Sequence, residues 1–181
     1  MVHRVVVTGM GVVSPVGQTA ESYWSSLTQG TCGIATATLA DPEKLNQKVV
    51  AEVKNFDPLK HFEERMIPTL DRVSQFAVVA AREAIANAKI SFDDPELPNR
   101  TATIIGTGAG GQITQEESYK RLFRENATRV YPLTIPKAMV NAPISQVSMY
   151  CGLRGPAFAV SSACASATHA IGLAFHMVRS G

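Results

Sequence analysis

Strand and helix signals alternate along this chain of 181 residues, and that alternation limits the folds it can adopt. Short β-branched or apolar runs predict buried strands at 4–8, 101–105 and 157–160. Cap residues and helical periodicity predict helices at about 20–29, 69–88, 113–123, 141–151 and 164–180. The order β-α-α-β-α-α-β-α favours a layered α/β domain.

The clearest helix signal lies between about residues 69 and 88, where apolar residues follow a three-four repeat. The repeat consists of Val73, Phe76, Ala77, Ala80, Ala81, Ala84, Ile85 and Ala88. We interpret this stripe as core. Because it is rich in alanine, another part of the chain is expected to pack closely against it.

Composition excludes several classes of protein. The charge balance, 17 Lys plus Arg against 15 Asp plus Glu, gives a net charge of +2, too small to indicate a nucleic-acid or membrane partner. No apolar run approaches the ~18 residues of a membrane span, and the N-terminus does not resemble a signal peptide. Cys32, Cys151 and Cys164 form no CxxC pair, so neither a disulfide framework nor a metal site is expected. A reducing cytoplasm fits best.

The strand predicted at 157–160 leads into the run Ser161–Ala167, where Cys164 stands among small residues. Since the predicted helix begins here, the thiol lies on its first turn, where unpaired N–H groups and the helix dipole favour a thiolate. The thiolate is the nucleophilic form. Small neighbours such as Ala163 leave room for a substrate. The arrangement is the sulfur counterpart of the turn that presents a serine nucleophile in hydrolases.

A second motif follows the strand predicted at 101–105. Gly106, Gly108 and Gly111 fit G-x-G-x-x-G, which is also found in dinucleotide-binding domains. That motif needs an acidic residue about 20 positions further on, at the end of a second strand. Glu125 has the right distance but lies in a polar helical stretch. We therefore prefer the interpretation that these glycines let backbone pass close to Cys164, with a dinucleotide-binding domain as an alternative.

Four segments together resemble a known family, the chain-elongating β-ketoacyl-acyl-carrier-protein synthases, over nearly the whole chain. The segments are Arg4–Gly11 with Ser14–Gly17, Gly106–Gly111, Tyr150–Pro156 and Ser162–Ser166. The resemblance implies a thiolase-like fold of α-β-α-β-α layers. Residues 1–181 are then an incomplete N-terminal domain that supplies mainly the first β/α half, with the C-terminal half absent.

The resemblance also implies a reaction. Cys164 accepts an acyl group from a carrier-protein thioester, and decarboxylated malonyl-carrier protein attacks it to give a 3-oxoacyl product in fatty-acid or polyketide elongation. The backbone N–H of Cys164 contributes to the oxyanion hole. Substrates are carried on the phosphopantetheine of acyl carrier protein, and no separate cofactor is needed. The enzyme is expected to be a homodimer in which strand 157–160 pairs with its copy.

Four residues are expected near the acyl chain. Ala163 flanks the cysteine, and Ala109 stands where many relatives carry a bulkier gating side chain, which leaves room for longer acyl chains. Leu133 and Thr134 are expected to reach towards the partner subunit's acyl pocket. The carrier protein is expected to dock on a set of basic residues, Lys120, Arg121, Arg124 and Arg129. The alternative interpretation of these residues is a solvated helix face.

The family's catalytic histidines and lysine belong to the absent half, so none of His3, His61, His169 or His176 is assigned to them. We therefore expect the chain alone not to complete a condensation. A different class of protein stays open, a non-catalytic partner subunit that shapes the pocket of an active synthase. Cys164 argues against it, because such partners usually replace the nucleophile. Lone cysteines are usually structural, and Cys32 and Cys151 are given that interpretation.

Overall fold

The computed structural model describes residues 3–38, 43 and 46–181. Its helices are α1 (Ala20–Thr28), α2 (Arg72–Ala88), α3 (Leu97–Arg100), α4 (Gln112–Phe123), α5 (Thr134–Ala138), α6 (Ala142–Cys151) and α7 (Ser166–Ser180). Its strands are β1 (Ala35–Thr36), β2 (Val49–Val50), β3 (Thr103–Gly106) and β4 (Ala157–Val160). Short 3-10 helices lie at Pro58–Lys60, Glu64–Thr69 and Ala163–Ala165. Strands β1 and β2 pair antiparallel, whereas β3 and β4 pair parallel.

The five predicted helices are all present, with bounds set by local caps. The Thr19 side chain accepts a hydrogen bond from Ser22 N–H and begins α1 in a capping box. Helix α2 begins at Arg72 rather than near Thr69, because residues 64–69 form a 3-10 helix and Asp71 supplies the cap. Gly152 ends α6 with a φ of 69°, a left-handed conformation that favours glycine.

The strand predicted at 4–8 is wrong, because this segment has no regular secondary structure. Val6 and Val7 are 57% and 82% exposed. A strand needs the backbone of a neighbouring strand, and the N–H of His3 bonds instead to the carbonyl of Arg179 at the end of α7. The β-branched composition of the segment indicates a preference for extended backbone. It does not show that a neighbouring strand is available to pair with it.

The segment that follows packs against α2, as the alanine-rich stripe predicted. A Cβ added at Gly11 would lie 1.9 Å from the carbonyl oxygen of Ala80, so only glycine allows this approach. Polar side chains of α2 also bond backbone N–H groups that follow residues 4–8. Asn87 Oδ1 accepts from Met10 N–H at 3.1 Å, and the Glu83 carboxylate accepts from the N–H groups of Val12 at 2.8 Å and Ala20 at 2.7 Å.

The interpretation of the whole stripe 73–88 as core needs correction. The most buried apolar side chains of α2 are Val78 and Val79, which do not belong to the predicted repeat. They join Phe56, Phe62, Leu70 and Val147 in the main core cluster. Helix α2 is covered by α6 and by the N-terminal segment, so two of its faces are buried and a single-stripe pattern does not describe it.

The parallel pair β3 and β4 positions the rest of the molecule. Thr103 pairs with Ala157 and Gly106 with Val160, so both strands end at the same edge. Helix α7 packs on both strands, and Ser148 of α6 donates from its hydroxyl to Thr103 Oγ1 at 3.0 Å. The carboxyl ends of β3 and β4 therefore place the Gly106–Gly111 loop beside the turn that contains Cys164.

The contacts of Glu83 predict a large effect of removing its carboxylate. Glu83→Ala should lower the free energy of unfolding by about 2–3 kcal/mol, since two backbone donors lose a charged acceptor. Glu83→Gln should lose less, and Glu117→Ala on the exposed face of α4 should cost under ~0.5 kcal/mol. Urea unfolding monitored by circular dichroism measures all three. Equal losses for Glu83→Ala and Glu117→Ala would show that the hydrogen bonds of Glu83 contribute nothing to the free energy of unfolding.

Candidate functional site

The carboxyl ends of β3 and β4 form the candidate site. The chain leaves β3 through the Gly106–Gly111 loop and leaves β4 through the Ser161–Ala165 turn. The hydrogen bonding between the two strands continues one residue beyond β3, because Thr107 N–H donates to Val160 C=O at 3.0 Å. Parallel strands bring their ends to one edge, where sites in α/β proteins are commonly built.

The turn before α7 presents Cys164 to solvent. Ala163 has a φ of 51°, in the left-handed region that L-residues with a side chain rarely adopt. Cys164 then lies in a 3-10 turn directly before α7, and its side chain is exposed. In the part of the chain that the structure describes, no acceptor bonds the N–H of Cys164. The turn thus contains an exposed cysteine whose backbone N–H has no acceptor among the described residues.

Side chains of α7 hold this turn. The Ser166 hydroxyl accepts from Ser162 N–H at 2.8 Å and donates to Ala163 C=O at 2.7 Å. Ser162 Oγ also lies 2.7 Å from Nδ1 of His169, on the next turn of α7. His169 is thereby a contact of the turn that contains Cys164.

The glycines of the loop have different surroundings. A Cβ added at Gly106 would lie 2.2 Å from the carbonyl oxygen of Ser166, so β3 ends in direct contact with the start of α7. A Cβ added at Gly108 would meet Ala163 Cα at 3.7 Å, an ordinary contact. The loop therefore passes beside the cysteine turn, as the sequence suggested.

The four predicted acyl-binding residues do not lie together in this chain. Ala163 is part of the turn, and Ala109 is an exposed residue of the facing loop. Thr134 is instead buried at the start of α5, where it lines a cavity of about 270 Å³ with Ser118, Tyr131 and Lys137. The lining of that cavity includes neither Ala163 nor Cys164. Leu133 is 37% exposed just before α5.

The other two cysteines differ from each other. Cys32 is exposed, so the interpretation of this residue as buried and structural is wrong. Its place in a loop after Gly30 keeps it at the surface. Cys151 is half-buried at the end of α6, and burial raises the pKa of its thiol, an effect that Arg82 partly opposes. Cys151 therefore stays neutral to higher pH than an ordinary thiol, which suits a structural residue.

The alternative of a dinucleotide site finds no support in this geometry. Glu125 follows the end of α4, where its N–H bonds to Lys120 C=O, and does not end a second strand. Gly106 contacts backbone of α7 where the dinucleotide motif needs space. Across residues 3–38, 43 and 46–181, no group of three His, Cys, Asp or Glu side chains is placed to hold a metal ion. None of the described helices combines the length and apolar character that a membrane crossing requires.

Sequence reasoning missed a buried carboxylate that supports the site. Asp71 caps α2 through Val73 N–H at 3.1 Å, and its other oxygen accepts from the N–H of Thr114 at 2.8 Å and from its hydroxyl at 2.7 Å. It joins the starts of α2 and α4, and therefore fixes the end of the glycine loop. An aspartate before an apolar helix predicts a cap. Its second partner, 43 residues away, has no local signal.

Comparison with known proteins identifies relatives over the whole chain. Residues 2–181 match the family described as "Beta-ketoacyl synthase, N-terminal domain". The chain is 36% identical over 178 residues to 3-oxoacyl-[acyl-carrier-protein] synthase 2 of Staphylococcus aureus (strain N315), which covers 98% of the chain and 43% of the relative. It is 39% identical over 181 residues to Nodulation protein E of Rhizobium sp. (strain N33), which covers 100% of the chain and 44% of that relative.

A solved structure agrees with these relatives. The structure described as the ishigamide ketosynthase/chain length factor superposes with a TM-score of 0.90 at 27% identity. The match covers 100% of this chain and 45% of the other. The chain therefore has the thiolase-like fold that its motifs predicted, and it spans less than half the length of the relatives it matches.

The two loop glycines provide a matched pair of substitutions. Gly106→Ala should destabilise the chain by about 2 kcal/mol or more, because the added methyl meets backbone that has no room to move. Gly108→Ala, two residues further on, should cost less than about 1 kcal/mol, because its methyl makes an ordinary contact. Thermal and urea unfolding report both. Similar losses at both positions would contradict the close approach of β3 to α7.

Proposed function

This chain belongs to the β-ketoacyl synthase family, and from that premise we propose that it is the nucleophile-bearing half of a 3-oxoacyl-acyl-carrier-protein synthase. Residues 1–181 are then the N-terminal domain of a longer enzyme that elongates acyl chains. The observation that supports this most directly is the exposed Cys164 on a turn beside two strand ends, with its own N–H free in the described structure.

The first step is acyl transfer to Cys164. The thiolate attacks the carbonyl carbon of an acyl thioester, and a tetrahedral oxyanion forms. The bond to the pantetheine sulfur then breaks, the acyl group stays on Sγ, and the departing thiolate takes a proton. A thiolate is both a good nucleophile and a good leaving group, so the acyl group is held covalently and remains reactive.

The free N–H of Cys164 serves the oxyanion in this scheme. It sits at the start of the 15-residue helix α7, whose first turn carries no acidic side chain. The unpaired N–H groups at a helix start provide a positive potential where negative charge develops. The left-handed Ala163 changes the direction of the backbone directly before this donor.

The second step is condensation. Malonyl-carrier protein loses CO2, its carbanion attacks the acyl carbon, and the bond to Sγ breaks to release a 3-oxoacyl product and the Cys164 thiolate. The groups that stabilise the malonyl enolate are assigned to the remainder of the enzyme, and His169, five residues after Cys164, bonds to Ser162 Oγ instead. Acyl loading is therefore the step that this half supports.

Acyl carrier protein is the proposed substrate carrier, and its phosphopantetheine makes a separate cofactor unnecessary. The printed name of the Staphylococcus aureus relative includes this carrier. Arg121, Arg124 and Arg129 are exposed at and after the end of α4, where an acidic carrier can dock. Lys120 is less available, because its ammonium lies 2.6 Å from the Glu116 carboxylate and lowers the pKa of that carboxyl.

The enzyme is proposed to act as a cytoplasmic homodimer. Strand β4 pairs with β3 along one edge, and no other strand in the described residues pairs with it. That open edge can pair with a second copy of the same strand. Leu133, which is 37% exposed, keeps its proposed place at the partner subunit's acyl pocket, whereas Thr134 is buried within this chain and is removed from it.

A second candidate function is a non-catalytic partner of an active synthase. The solved structure described as a ketosynthase/chain length factor motivates it, because that description names two components. A non-catalytic subunit does not need an exposed cysteine on a turn that is fixed by hydrogen bonds. The retained Cys164 therefore favours the catalytic assignment.

Acyl loading tests the proposed function. Incubation with a radiolabelled acyl thioester should label the chain at Cys164, and Cys164→Ala should abolish the label because neither Cys32 nor Cys151 belongs to this turn. Cys32→Ala, which removes another exposed cysteine, should be labelled like the parent chain. Titration with NAD should show no binding. Label that survives Cys164→Ala would exclude Cys164 as the acyl acceptor.

The size of residue 109 is expected to set the acyl length. Ala109→Ile should reduce loading by long acyl thioesters roughly tenfold relative to short ones, because a branched side chain narrows the proposed pocket. Ala51→Ile, at another exposed position, should leave the preference unchanged. Loading rates with thioesters of increasing chain length give the comparison. Long substrates that remain as good after Ala109→Ile would remove residue 109 from the pocket.

A further inference from the structure

The hydroxyl of Ser166 joins two backbone groups of the cysteine turn. It accepts from Ser162 N–H at 2.8 Å and donates to Ala163 C=O at 2.7 Å. Ser166 is 2% exposed, so water does not compete for either bond. We infer that Ser166 is a positioning residue that holds Ala163 in its left-handed conformation and thereby fixes Cys164, an inference that rests on the proposed function of that cysteine.

The conformation of Ala163 explains why a restraint is needed. At a φ of 51°, the Cβ of alanine crowds the backbone, and an alanine without restraint leaves this region. The Ala163 carbonyl accepts from both the hydroxyl and the N–H of Ser166. The position of Ala163 is thus defined by one residue of α7.

The backbone of Ser166 is held by close packing. The end of β3 contacts it directly, since a Cβ added at Gly106 would lie 2.2 Å from the carbonyl oxygen of Ser166. The hydroxyl therefore acts from a fixed point on the scaffold. A second contact, between Ser162 Oγ and His169 Nδ1, is exposed and is expected to contribute less.

The contacts of Ser166 affect Cys164, which lies between Ala163 and Ser166 in the chain. Cys164 follows Ala163 and lies two residues before Ser166, so its N–H and Sγ take their directions from this turn. If Ala163 relaxes, the cysteine stays exposed, but its donor and nucleophile no longer share the geometry that acyl transfer requires. The expected defect is in the rate of acylation and not in thioester binding.

Three variants separate the hydroxyl from general packing. Ser166→Ala removes both hydrogen bonds, whereas Ser166→Thr keeps the hydroxyl. Ser74→Ala is the matched control, because Ser74 is 1% exposed and its hydroxyl has no hydrogen-bond partner among the described residues. Circular dichroism and thermal unfolding establish that each variant of the full chain is folded.

Two readouts are taken on each folded variant. A strong NMR cross-peak between the amide and Hα protons of Ala163 reports its positive φ, because these protons are closest in that conformation. Single-turnover acylation of Cys164 by a decanoyl-pantetheine thioester gives the maximal rate and the half-saturating concentration.

We expect Ser166→Ala to weaken the cross-peak severalfold and to lower the maximal rate about tenfold or more, with the half-saturating concentration unchanged. Ser166→Thr and Ser74→Ala should match the parent chain. The inference is overturned if Ser166→Ala keeps the cross-peak or the rate, or if the threonine variant loses as much as the alanine variant. A parent chain that accepts no acyl group refutes the proposed function, and the cross-peak then decides the inference alone.

Discussion

The contact between the end of β3 and the start of α7 is the constraint on which the candidate site depends. Gly106 has no side chain, so its backbone rests directly on Ser166, and Ser166 in turn holds the cysteine turn. A left-handed alanine costs about 1–2 kcal/mol, and a net hydrogen bond contributes about 0.5–1.5 kcal/mol. The two bonds of Ser166 are therefore of the size needed to offset the strain at Ala163.

Helix α2 connects this site to the rest of the fold. At its start, Asp71 reaches α4 and fixes the loop that faces the cysteine. At its far end, Asn87 and Glu83 accept from the backbone N–H groups of Met10 and Val12 in the N-terminal segment. In both places a side-chain oxygen in α2, or at the residue that caps it, accepts from backbone N–H groups of another segment. The helix thus orders two segments that have no regular structure of their own.

The sequence predicted five of the described helices, the two strands β3 and β4 and the turn that contains Cys164, because each depends on local signals. Thr19, Gly152 and the small residues around Cys164 act through neighbours within a few positions. The predictions from sequence failed where the structure depends on contacts between residues that are far apart in the chain. Residues 4–8 have strand composition without a strand neighbour, and Val78 and Val79 are buried because α2 is covered on two faces. The role of Ser166 depends on a backbone contact with Gly106, 60 positions earlier, which no local pattern reveals.

Among the three free thiols, Cys164 is the one proposed to react with an acyl-type electrophile. Peptide mapping after treatment with the cysteine-directed inhibitor cerulenin tests this most directly, because Cys32 is also exposed and Cys151 is half-buried in the same chain. The account predicts the adduct on the peptide that contains Cys164, with Cys32 and Cys151 unmodified. An adduct on Cys32 at a comparable yield, or none on Cys164, would contradict it.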